Sequence, residues 1–129
     1  MPRTYDVLSV VHLLRAVRHT LATDAPYSLI LEQLNVPNAE DGSRLVERAR
    51  AGKDARGRGL FIDKHTLQPT LDEGTVVLMF ILPIVVALEN NRGRQQISVM
   101  VGRLVQGLIE ESLQLVTSAY GHARNKSLN

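Results

Sequence analysis

The chain has no cysteine and no tryptophan. Without cysteine there is no disulfide, no thiolate zinc site and no cysteine nucleophile. Aromatic residues are scarce, two Phe and three Tyr, which disfavours base-stacking platforms. Charge of one sign is also lacking: 15 basic against 13 acidic residues leaves a net +2, too little for a strong steering field. No basic segment followed by an apolar one opens the chain, so no secretion signal is read. The longest apolar run, Thr75 to Leu88, is fourteen residues with Pro83 inside it and acidic residues at both ends. A bilayer span needs about 20, so this run is expected to be buried in protein. The expected location is cytoplasmic or in a virion, with no membrane partner.

What is present fits one domain, residues 1–121, with an exposed loop near 51–59 and a polar tail, 122–129. Val7, Val10, Val11, Leu14, Val17 and Leu21 recur at helical spacing. They predict an amphipathic helix over 5–23, capped by Thr4 and ended by Asp24-Ala25-Pro26. Residues 27–36 read as strand or short helix. Ser43 caps a short helix through Arg50, and the glycine-rich basic stretch 52–59 reads as an exposed loop. Residues 95–120 predict a second amphipathic helix on Ile97, Val101, Leu104, Leu108, Leu115 and Ala119, widened by Met100 and Val105 and stopped at Gly121.

Half of the run 75–88 is β-branched, and Pro83 opposes a helix, so a strand is expected there. Thr70-Leu71-Asp72-Glu73 is a capping box that argues the other way. The expected fold is α+β, two amphipathic helices packed on a small antiparallel sheet built around 75–88. The alternative is an all-α helical bundle; helix content above about three-fifths would exclude the sheet. A run apolar on every side needs cover on two faces. In so small a chain that points to a second subunit, with Val77, Met79, Ile81, Ile84 and Val86 at the interface.

Catalytic and cofactor patterns are not found. Gly57-Arg58-Gly59 lacks the third glycine of a dinucleotide loop, and Gly52-Lys53 lacks the hydroxyl of a phosphate loop. His12 and His19 stand two helical turns apart, about 10 Å, too far for one metal ion. Asp72-Glu73 and Glu110-Glu111 are adjacent pairs whose side chains diverge. The chain is therefore read as a non-enzyme without catalytic, cofactor or metal residues. Arg50, Lys53, Arg56 and Arg58 form the densest basic cluster, suited to phosphates or an acidic partner. A small nucleic-acid-binding or regulatory module using residues 44–64 is the alternative to a non-enzymatic assembly subunit whose partners are itself and other assembly proteins.

The stretch Val85-Val86-Ala87-Leu88-Glu89-Asn90-Asn91-Arg92-Gly93, an apolar strand then an Asn/Gly turn before a helix, resembles the tail terminator and tail-completion proteins of tailed phages. The likeness covers residues 75–115 and the plan of the first helix. It implies a small α+β subunit that forms a homo-oligomeric ring at the head–tail junction. The chain departs from that pattern in lacking a further strand after the second helix and in the segment 43–59.

Overall fold

The computed structural model describes residues 3–36, 42–52 and 59–128, with side chains through Gly121. Strand β1 (Thr4–Asp6) leads directly into helix α1 (Val7–Leu21). The helix begins at Val7 because Asp6, rather than Thr4, is its N-cap: Asp6 Oδ1 accepts the Ser9 amide at 2.7 Å. All six residues of the predicted apolar stripe of α1 are buried, Leu14 and Val17 completely. Short helix α2 (Tyr27–Gln33) follows. Asn35, at φ 59°, closes it in the left-handed conformation. Its amide then donates to Glu32 O and that of Val36 to Leu31 O.

Helix α3 (Gly42–Ala51) presses its end against the start of the apolar run. A Cβ on Gly52 would lie 3.0 Å from Glu73 Cβ and 3.1 Å from Gly74 N. Gly52 O accepts that same Gly74 amide, so Gly52 is a point of close approach rather than part of an exposed loop. Strands β2 (Leu60–Ile62) and β3 (Pro69–Asp72) complete an antiparallel sheet of order β1-β3-β2. In register, Tyr5 opposes Leu71 and Phe61 opposes Thr70.

The fold is α+β, as expected, but its sheet is not built around 75–88. Residues 73–89 are helical throughout: α4 (Glu73–Val76), a π-helical turn (Val77–Ile81) and α5 (Leu82–Glu89). Helix takes up more than three-fifths of the described residues, above the share expected to exclude a sheet, yet three short strands are present among them. Three physical facts override the β-branched composition. Asp72 is a buried N-cap, its Oδ1 taking the Thr75 amide at 2.7 Å and its Oδ2 the Gly59 amide at 3.3 Å. Pro83 sits at the start of α5, and the widened turn before it, in which the Leu82 amide donates to Val77 O, makes room for the proline ring. The run also has more residues than a strand of ordinary length uses.

Asn91, φ 52°, ends α5 as Asn35 ends α2, with the Arg92 amide on Ala87 O. Helix α6 (Arg94–Leu128) continues through Gly121 instead of stopping there. It packs antiparallel to α1: Arg18 Nε donates to Ser98 Oγ at 3.4 Å, while Val7 and Val11 share a groove with Ile109 and Val116. Arg94 ties the start of α6 to the α1–α2 turn through Thr23 O and Ala25 O, and lies over the Tyr27 ring. The core is the shared interior of α1, α3, the run 73–89 and the first half of α6.

Candidate interaction surface

The helical run 73–89 turns most of its apolar side chains inward. Val77, Ile81 and Ile84, expected at a subunit interface, are 0%, 4% and 0% exposed and belong to the chain's own core. The reason is the helix itself: a strand would have turned alternate residues outward, whereas the helix and its π turn gather these three on the inner face. Met79 and Val86 do face solvent, 53% and 42% exposed. Between them Leu82 and Pro83 are half-buried.

Helix α6 extends that apolar strip. Leu82, Pro83, Val86 and Ala87 form one wall of a cleft, and Ile97 and Met100 the other. Met100 continues onto a shallow depression with Val99 and Leu104. The rim is polar, with Asn90, Arg92, Gln96 and Arg103. Of this surface only Met79 and Val86 were expected at an interface; Ile97, Met100 and Leu104 were read as the apolar stripe of α6. The signal for the rest was the residue that widened the α6 stripe, Met100.

A second apolar groove lies toward the other end of α6. Val7, Leu8 and Val11 of α1 face Ile109, Leu113 and Val116 of α6, with Pro69 closing one end and Asp6, Arg15 and Gln68 at the rim. Leu8 and Leu113 are exposed. Beside the groove, Leu67 is also exposed, at the tip of the β2–β3 hairpin with φ 58°. The rotation between Met100 and Leu113 along α6 separates the two surfaces by face as well as by position.

The polar residues singled out by sequence do not gather. His12 and His19 are exposed on α1, and no group of three or more His, Asp or Glu side chains converges among the described residues. Two carboxylates are held below the usual carboxylate range. The Ser9 amide lowers Asp6, and the Thr66 and His65 amides lower Asp63. Both are turn and cap carboxylates committed to backbone donors. Glu73 pairs with Arg48 at 3.4 Å, while Glu110 and Glu111 are exposed. Of the basic cluster, Arg50 is exposed at the end of α3; Lys53, Arg56 and Arg58 lie outside the described residues. Among the described residues no helix is long and apolar enough to cross a membrane.

No family model matches the chain, and no characterised protein or solved structure matches it either. The stretch that carries the likeness to tail-completion proteins keeps its Asn/Gly turn and following helix, but the segment before the turn is helix rather than strand.

Proposed function

We propose that this protein is a non-enzymatic assembly subunit that binds copies of itself head to tail. The observation that carries the reading is the pair of separate apolar surfaces on α6, one around Val86 and Met100, the other around Leu8 and Leu113. Isolated exposed apolar side chains are ordinary, but contiguous ones with a polar rim mark interaction sites. A single patch would support a two-fold dimer. Two unlike patches support contact with two neighbours, and such heterologous contacts close into rings or run on as filaments. A ring is also what the tail-completion resemblance implies, and other assembly proteins would then meet its faces. The test is sedimentation velocity of the purified chain over rising concentration. The expected result is a species of three or more chains; a monomer throughout, or a dimer that grows no further, contradicts the proposal.

A further inference from the structure

The small net charge of +2 conceals an uneven distribution. Residues 7–23, which hold α1 and its following turn, and 91–109, which hold the first half of α6, contain Arg15, Arg18, Arg92, Arg94 and Arg103 but no Asp or Glu. Arg94 is spent on backbone carbonyls and the Tyr27 ring. From Ser9 to His19 the exposed residues of α1 are Ser9, His12, Arg15, Ala16, Arg18 and His19. His12, Arg15 and His19 share one side of the helix, spaced three and four apart. Arg18 stands beside them at the border with α6. Its head group lies against Gly102, where a Cβ would come within 3.1 Å of Cζ, and its Nε donates to Ser98 Oγ at 3.4 Å. The guanidinium is thus held across α6, and its two Nη groups have no acceptor among the described residues. Arg15 forms no ion pair among them either. Carboxylates stand only at the edges: Asp6 and Asp24 beyond the two ends of α1, and Glu110 on α6, which accepts from Gln106 at 3.4 Å.

We propose that this face of α1 binds the phosphate backbone of duplex nucleic acid without reading its sequence. The cationic side chains spread along about 10 Å of helix, from His12 to His19, instead of gathering round one point. That suits a row of phosphates rather than a single small anion, and a duplex presents one charge for about every 1.7 Å of its axis. A protein partner would want an apolar centre, and residues 9–19 expose no large apolar side chain; interfaces with nucleic acid are polar and basic. An anionic membrane would be met by charge alone, because the apolar side of α1 is buried in the core. The scarcity of aromatic residues disfavours stacking on unpaired bases, which leaves the duplex backbone as the target. Arg15 and Arg18 carry the grip, since the arginine fork matches phosphate oxygens, and His12 and His19 flank them as further donors.

Fluorescence anisotropy of a labelled duplex DNA of mixed sequence, over rising salt, tests this. The expected result is saturable binding with Kd about 0.1 mM or tighter at about 50 mM salt, and log K falling with log salt at a slope of about −2 or steeper. Arg15→Gln combined with Arg18→Gln, both at exposed positions, should weaken binding at least about tenfold and flatten that slope by about 2. Arg56→Gln combined with Arg58→Gln, in the basic stretch 52–59, should leave the affinity within about threefold. No binding to the duplex, binding to phosphatidylserine vesicles in its place, equal affinity for polyglutamate, or loss of binding in the second pair of substitutions but not the first would overturn the proposal. The result is independent of self-assembly, which rests on the apolar surfaces and not on these arginines.

Discussion

Helix α6 and the run 73–89 are both apolar helices, yet they reach burial by different routes. Along the first half of α6 one stripe, Ile97, Val101, Val105 and Leu108, is buried, while Gln95, Arg103, Gln106 and Glu110 face solvent with Val99 among them. Periodicity alone decides which residues go inside. The run 73–89 has little polar side to place, so packing geometry decides instead. A π turn before Pro83 sets which residues meet α3 and the core, and Met79 and Val86 are left outside. The contrast teaches that uniform apolarity specifies burial in bulk but not residue by residue.

Substitution within the run sharpens that contrast most. Ile84→Ala empties a fully buried site and should cost about 3 kcal/mol in urea unfolding. Met79→Ala, two residues from the buried Val77 and Ile81, should change stability by less than about 0.5 kcal/mol. Equal costs would mean that the inner and outer faces have been assigned wrongly.

The next largest effect compares two caps. Asp72 and Asp6 each end a strand of the same ladder and start a helix, with the same 2.7 Å bond to the amide three residues on. Asp72 is fully buried and holds the Gly59 amide as well; Asp6 is exposed. Asp72→Ala strands two part-buried donors and should cost about 2 kcal/mol. Asp6→Ala should cost about 1 kcal/mol, and Asp6→Asn a few tenths, because asparagine caps nearly as well.

The pH dependence of Asp6→Ala follows from the sign of the Asp6 shift. The folded carboxyl titrates below its ordinary value because the Ser9 amide favours the anion. Its stabilisation is therefore complete above the unfolded value of about 4 and disappears as pH falls through the lower folded value. The stability difference between wild type and Asp6→Ala should shrink over that acid window in parallel urea titrations. A difference that stays constant down to the lowest pH would assign the cap's effect to something other than the charged carboxylate.

The smallest expected effect is a gain. Leu67 holds φ 58° on an exposed hairpin tip, a conformation that glycine adopts without a Cβ clash. Leu67→Gly should raise the thermal midpoint, by about 0.5 kcal/mol of stability.

The α1 stripe was legible to the residue, because six apolar positions at spacings of three and four admit one helical face. The body of α6 was legible for the same reason. The sheet was not: β1, β2 and β3 have three or four residues each, too short for alternation to register, and Thr4 and Asp6 resemble helix caps as much as strand residues. The helix at 73–89 was half-legible. Acidic residues at its start pointed to a cap, but β-branching and Pro83 outweighed them, since a π turn leaves no mark in sequence. Of the interaction surface, Met79 and Val86 could be named, but the α6 side could not, because Val99, Met100 and Leu104 acquire meaning only when α5 is placed beside them.

Head-to-tail assembly requires that the two apolar surfaces bind each other. Val86→Asp spoils one and Leu113→Asp the other, both at exposed positions. Light scattering after gel filtration should give a monomer for each variant alone and a two-chain species for their equimolar mixture, since the mixture retains one intact pair of surfaces. Variants that assemble as wild type does, or a mixture that stays monomeric, would contradict head-to-tail binding through these surfaces.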